Sequence, residues 1–279
     1  MTQQPQVEGF FHSPSNTISY LVWDPASRRG ALIDPVLDFS AASGTAATHS
    51  ADAILERARE LGIAIAWSLE THVHADHLSA AQRVRERTGA ATVIGAAVRD
   101  VQTHFAPLFG ITVAGDGSEF DRLVDNGERL ALGELEIAVL TVPGHTPADV
   151  AYLIGNALFV GDTLFMPDYG TARCDFPGGS ARQLHRSIER LLDLPDETRM
   201  FLCHDYKAPG RDVFAWETTV GEQRANVHLR GRDADEFVAM REERDAGLSV
   251  PAMLLPALQV NIRAGRVPDV LKLPVTWTD

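Results

Sequence analysis

Short apolar runs alternate along the chain with segments whose apolar residues recur at helical spacing, the pattern of a layered α/β protein. TISYLVW (17–23) and ALIDPV (31–36) read as strands joined through the turn DPASRRG, which predicts a hairpin opening a sheet. In ATHSADAILERARELG, Ile54, Leu55, Ala58 and Leu61 share one helical face, and Gly62 is placed to stop it. IAIAWSLE (63–70) returns as a strand, a helix is expected from Leu78 to Arg87, and ATVIG (91–95) is a further short strand.

From about residue 128 to 165 the pattern turns strand-rich, with Gly155-Asn156 as a tight-turn dipeptide between two apolar runs. SARQLHRSIERLLDL (180–194) predicts a helix with Ser180 and Gln183 as a capping box and Leu184, Ile188, Leu191 and Leu192 on one face. RMFLCHDY (199–206) reads as a buried strand, helices are expected at about 217–228 and 233–244, and a Pro-punctuated tail follows. With no low-complexity linker and no repeat period, the expectation is one domain over 1–279, in which 215–279 form a helical and extended tail packed on the core.

Composition narrows the functional classes. A chain of 279 residues with 45% hydrophobic and 23% charged content buries a substantial core without staples. The net charge of −13 argues against nonspecific binding to nucleic acid or to an anionic membrane, while leaving room for a local arginine to meet an anionic small substrate. Two cysteines, Cys174 and Cys203, exclude a disulfide framework and fit a reducing, cytoplasmic setting. The first residues lack a basic region followed by an apolar one, and no run approaches the roughly 20 apolar residues of a membrane span, so neither signal nor anchor is expected.

The chemistry concentrates in ETHVHADH (70–77), between a strand's C-terminal end and a helix, where side chains converge outside a sheet. His72, His74, Asp76 and His77 are the usual ligand types for Zn(II) and Fe(II), brought together at little chain-closure cost. His145 in PGHT, Asp162 in VGDT and His204 in LCHDY each end an apolar run, so all can reach the same sheet edge. A glycine precedes His145 and another precedes Asp162, which permits a tight turn at the ligand. Taken singly, Asp162 could cap a turn and His204 could pack on Tyr206; their joint occurrence points to a metal. Cys174 and Cys203 read as small buried thiols, and His12, His49, His104, His185 and His228 as surface or core residues.

The string His72-x-His74-x-Asp76-His77, followed by His145, Asp162 and His204 with LIDP upstream, resembles the metallo-β-lactamase superfamily over about residues 15 to 210. The resemblance implies an αββα sandwich of the α/β (α+β) class, two mixed sheets face to face with helices outside and metal at the sheet edge. Asp34 matches a position with a structural role. Further stretches, GDTLFMPDYGTARCDFPGGSARQLHRSI, CHDY, WETTVGEQRAN and LQVNIRAG, resemble the bacterial persulfide dioxygenases, relatives of the ethylmalonic encephalopathy protein, and their β-lactamase-hydrolase-like cousins.

That closer resemblance implies one Fe(II) per chain on His72, His145 and Asp162, oxidising glutathione persulfide with O2 and water to glutathione and sulfite. His74, Asp76, His77 and His204 then orient the ligands or hold a second metal. Because every position for two metals is filled, the alternative is a binuclear zinc hydrolase of thioesters or lactones, like glyoxalase II, with two zinc ions per chain and Asp162 bridging. Tyr206 and His77 are the candidate catalytic groups, Tyr206 also as a hydrogen-bond donor to substrate sulfur or oxygen. Arg173 either clamps a glutathione carboxylate or pairs with Asp175, the short Arg-x-Asp spacing favouring the pair. Expected partners are glutathione persulfide and O2, a homo-oligomer such as a dimer, and a rhodanese-type sulfur donor, with no nucleic acid and no membrane.

Overall fold

The computed structural model describes residues 4–273; residues 1–3 and 274–279, the ends of the expected domain, lie outside the described residues. The elements run β1 (Gln6–His12), β2 (Thr17–Trp23), β3 (Arg29–Ile33), β4 (Val36–Ser40), β5 (Thr45–Ala47), α1 (His49–Glu60), β6 (Ala64–Leu69), β7 (Leu78–Ser79), α2 (Ala81–Thr88), β8 (Ala91–Gly95), α3 (Val98–Phe109) and β9 (Arg122–Val124). They continue through β10 (Arg129–Leu132), β11 (Leu135–Thr141), β12 (Val150–Ile154), β13 (Ala157–Phe159), α4 (Ala181–Leu192), β14 (Arg199–Phe201), β15 (Glu217–Thr219), α5 (Val220–Gln223), α6 (Ala234–Ala246) and α7 (Leu254–Asn261).

Two mixed six-stranded sheets, ordered β1-β2-β3-β6-β8-β9 and β10-β11-β12-β13-β14-β15, face each other. Strand periodicity of two explains how one strand serves two layers. In β2, Ile18, Tyr20 and Val22 enter the core between the sheets with Val139, Tyr152 and Phe159, while Leu21 and Trp23 pack outward with Ile54 of α1 and Val84 of α2. In β12, Ala151 faces outward with Leu184, Ile188 and Leu191 of α4 and Phe237 of α6. Helix α4 forms because those apolar residues share its inner face, and the Ser180 hydroxyl accepts the Gln183 backbone N–H at its start. The tail crosses back: α7 contacts α3 and β7, and Leu258 and Ile262 pack with Phe105 and Phe109 of α3.

Several expected boundaries move for identifiable reasons. The strand expected at 31–36 breaks at Asp34, which sits at φ 48°, so that Val36 leaves the sheet and pairs with Ser79. That pairing takes Leu78–Ser79 into β7 and delays the helix start from Leu78 to Ala81. Glu217–Thr219 is an edge strand on β14 instead of a helical turn, and the short α5 behind it is capped by Thr219 and Glu222. Only Arg199–Phe201 of the expected strand 199–206 pairs in the sheet; the rest is the loop that carries His204. Helix α3, unanticipated, has Val98, Val101, Phe105 and Phe109 buried at helical spacing. Among the described residues no helix is long and apolar enough to cross a membrane.

Candidate metal centre

Asp34 organises the loop after β6. Its carboxylate accepts the Thr71 backbone N–H (2.7 Å), the Thr71 hydroxyl (2.8 Å) and His74 Nε2–H (3.0 Å), while its carbonyl accepts the Ser19 hydroxyl (2.7 Å). From the other side Asn261 of α7 donates to the carbonyls of His74 and His77, both at 2.8 Å, and accepts Ser79 N–H at 2.8 Å. Two glycines place two of the remaining candidate ligands, His145 and Asp162. Gly144 lies at φ 155°, where a Cβ would clash with the Leu184 backbone, and Gly161 lies at φ 54°, where it would meet Thr71 at 2.7 Å.

Each of the five clustered histidines is anchored through one nitrogen. His72 Nδ1–H donates to Thr71 Oγ1 (3.0 Å), whose own proton goes to Asp34; His145 Nδ1–H donates to the Arg173 carbonyl (2.7 Å). His204 Nδ1–H donates to the Asn16 carbonyl (3.2 Å), His77 Nδ1–H to Asp76 (3.1 Å) and His74 Nε2–H to Asp34. The opposite nitrogens of His72, His74, His77 and His204, with Asp162 Oδ1, are buried without a hydrogen-bond partner. Leaving one such group unpaired costs about 1–3 kcal/mol, so this many bare lone pairs aimed inward fit metal ligation far better than a packed core.

His72, His145 and Asp162 bring candidate ligand atoms within 4.8 Å of one another, and so do His74, Asp76, His77 and His204. Asp162 Oδ2 lies 4.0 Å from His72 Nε2 and 3.7 Å from His145 Nε2, while its Oδ1 is 3.4 Å from His204 Nε2, so this carboxylate reaches both sets. Tetrahedral ligands at bond lengths of about 2.1 Å stand roughly 3.4 Å apart, so small closure of either set suffices to hold an ion. Cys203 reaches Asp162 and His204 as well, but its Sγ donates to Asp34 at 3.6 Å and burial raises its pKa well above the usual thiol value.

Charge is distributed to keep most of these nitrogens bare. Burial, then the nearby His74 and His145 charges, depress His72 well below the ordinary histidine value, and burial with His74 pushes His77 down to about 4. His74 goes the other way: burial opposes its charge, but Asp34 and Glu70 together outweigh it and raise it well above 6.5. Burial would raise Asp76, yet the His204 and His77 charges hold it well below the carboxylate range.

A pocket of about 510 Å³ opens onto Asp76, His145 and Asp162. Its aromatic wall is Phe165, Tyr169 and Tyr206, with Tyr206 stacked on His204 at 5.6 Å between ring centroids. His77 is 2% exposed and lies behind Asp76, outside the pocket lining, so it meets substrate only through Asp76 or a metal. Arg173 lines the pocket, but its guanidinium is held by Asp175 at 2.5 Å through both Nε and a terminal nitrogen, and by the Ser249 carbonyl. Two lining groups escaped the sequence reading. Arg244 of α6 is exposed, and its side chain makes no hydrogen bond or ion pair among the described residues, unlike Arg241 nearby, which pairs with Asp245. His228, expected as surface or core, also lines the pocket; its Nδ1 accepts Thr171 N–H at 2.9 Å, which leaves Nε2 carrying the proton. Arg244 lies in the charged run MREERDA of α6, and only the fold brings it to the pocket.

An αββα sandwich with two facing ligand sets at the sheet edge defines a metal-dependent enzyme class, and the profile of the metallo-beta-lactamase superfamily matches residues 13–204. The chain belongs to the metallo-beta-lactamase superfamily. It is 52% identical over 276 residues to a probable metallo-hydrolase of Burkholderia pseudomallei (strain 1710b), covering 94% of each chain. It is 50% identical to the beta-lactamase hydrolase-like protein of Xylella fastidiosa (strain 9a5c), covering 96% of this chain but 62% of that one; the chain thus spans under two thirds of that relative's length. Among solved structures, ETHE1 from Myxococcus xanthus superposes with a TM-score of 0.76 at 33% identity, over 94% of this chain and 100% of that one. More distant likenesses include the hydroxyacylglutathione hydrolase of Methylococcus capsulatus (34% identity; 87% of this chain, 80% of that one) and the human mitochondrial persulfide dioxygenase ETHE1 (28%; 91% and 87%).

Proposed function

We propose that this chain is an Fe(II)-dependent persulfide dioxygenase that oxidises glutathione persulfide with O2 and water to sulfite and glutathione. The observation that carries the reading is the His72, His145 and Asp162 set, with His145 and Asp162 lining the pocket, in a chain that matches an ETHE1 structure over 94% of its length. Two histidines and a carboxylate suit Fe(II), which supplies the redox step with dioxygen that closed-shell zinc does not. The chain's own groups do the rest. His145 and His72 are held in one tautomer by the Arg173 carbonyl and Thr71, which would leave each Nε2 free to hold the ion. Tyr206, whose pKa is raised by burial and then by Asp76 and Asp162, keeps its proton and donates a hydrogen bond toward the substrate's sulfur or oxygen. Arg244 and the His228 Nε2–H meet the anionic end of a glutathione-derived substrate, which the net negative chain otherwise repels.

A second reading has a specific observation in its favour: His74, Asp76, His77 and His204 are assembled, with Asp162 between the sets. Two zinc ions there would make a hydrolase of thioesters or lactones, as the likeness to a hydroxyacylglutathione hydrolase allows. Oxygen uptake on adding glutathione persulfide, set against anaerobic turnover of S-lactoylglutathione, separates them. Uptake with no anaerobic turnover supports the dioxygenase; the reverse supports the hydrolase.

A further inference from the structure

Behind the metal centre, on the side away from the pocket, hydroxyl and imidazole groups form an unbroken line. His12 Nδ1 lies 2.7 Å from Ser15 Oγ, and Ser15 Oγ lies 2.7 Å from Thr17 Oγ1. Thr17 Oγ1 then touches Asp76 Oδ2 at 3.4 Å, His77 Nδ1 at 3.3 Å and His204 Nδ1 at 3.4 Å. At the outer end His12 Nε2 is 3.5 Å from Asp38 Oδ1, with the His12 side chain 12% and the Asp38 side chain 26% exposed. Thr17 is fully buried, and none of His12, Ser15, Thr17 or Asp38 lines the pocket. The β1–β2 hairpin builds the line: His12 and Thr17 are its closing pair, and Asn16 at φ 54° turns Ser15 beneath them. The Asn16 carbonyl also accepts Asp205 N–H and His204 Nδ1–H, which fixes the turn against the metal centre.

We propose that Thr17, Ser15 and His12 carry protons from the metal centre to solvent beside Asp38, with His12 as the group that hands them over. The inference rests on the site being an enzyme centre, but not on which reaction it runs. Persulfide oxidation to glutathione and sulfite releases two protons per turnover and thioester hydrolysis one, by the balance of each equation, and substrate in the pocket closes the front exit. A proton released in the reaction enters at Thr17 Oγ1 as the Thr17 proton passes to Ser15 Oγ and the Ser15 proton to His12 Nδ1. His12 then gives its Nε2 proton to Asp38 or water; one proton leaves for each that enters and no electron moves. Burial lowers the His12 pKa from 6.5, against the pull of Asp38 on β4 and of Asp76, the charged groups that face it.

Turnover of metal-loaded parent, His12→Gln and Ser15→Ala on glutathione persulfide and on S-lactoylglutathione, in dilute buffer and in H2O and D2O, tests this beside NMR titration of the His12 ring. His12→Gln is expected to lower kcat about tenfold with KM unchanged, to be restored by added imidazole, and to show a larger solvent isotope effect than the parent. Ser15→Ala and Thr17→Val are expected to move the midpoint of the His12 titration. An undiminished kcat in His12→Gln, or a loss that imidazole does not restore, overturns the relay. If the parent turns over neither substrate, the enzyme reading fails on its own account and the NMR arm decides: a His12 midpoint indifferent to both hydroxyl deletions sinks the relay.

Discussion

At the scale of single residues, the centre is a set of tautomers fixed from outside. Thr71 passes the influence of Asp34 to His72, so Thr71→Val is expected to weaken metal binding by about 10–100-fold, read by competition with a chelator, with little change in the far-UV spectrum. Arg244→Ala removes a pocket arginine whose side chain has no partner among the described residues and is expected to raise KM about tenfold while kcat holds, the mark of an interaction shared by ground and transition states. His228 supplies a pH dependence. Burial, then Arg241, Arg244 and Arg232, lower its folded pKa to about 4 from an unfolded value near 6.5. A depressed histidine binds fewer protons when folded, so its contribution to stability is complete above pH 6.5 and is lost as pH falls through 4. NMR titration should place its midpoint near 4, and denaturant midpoints should fall over that window less steeply in His228→Gln.

At the scale of elements, the ligands are delivered by strand ends, and what the sequence made legible follows from that. The strands and helices around ETHVHADH, PGHT, VGDT and LCHDY were readable because burial on one or both faces writes a regular apolar pattern. The glycines before His145 and Asp162 were readable because only glycine takes φ 155° or 54° against a neighbouring backbone or Thr71 without a clash. Gly144→Ala should therefore cost roughly 1–3 kcal/mol of stability and, by displacing His145, a larger share of activity, read by thermal melts beside turnover. Illegible were the contacts that depend on the fold closing. Asp34 at φ 48° splits an apparently continuous strand, Asn261 sits in a tail that reads as a Pro-rich wrap, and Arg244 lies in a run of surface charge. Asn261 joins α7 to the histidine loop through three hydrogen bonds, so Asn261→Ala is expected to lower stability by roughly 2–4 kcal/mol and to loosen the metal, measured by denaturation with and without chelator.

At the scale of the whole molecule, the two sheets form a rigid frame whose shared edge holds a concentration of unsatisfied ligand atoms. The core between the sheets offsets that cost, and a bound ion cancels it, so the protein's stability is expected to depend on metal. An ion at a thousand times its dissociation constant adds about 4 kcal/mol, so chelation should lower the melting temperature by several degrees. The family and the fold leave two chemistries open at this edge, and they differ in one countable property. Metal analysis of protein purified without added metal, coupled to oxygen uptake on adding glutathione persulfide, tests the central claim most directly. The account predicts about one iron per chain and oxygen consumed with sulfite formed; two tightly held zinc ions per chain and no oxygen uptake would contradict it.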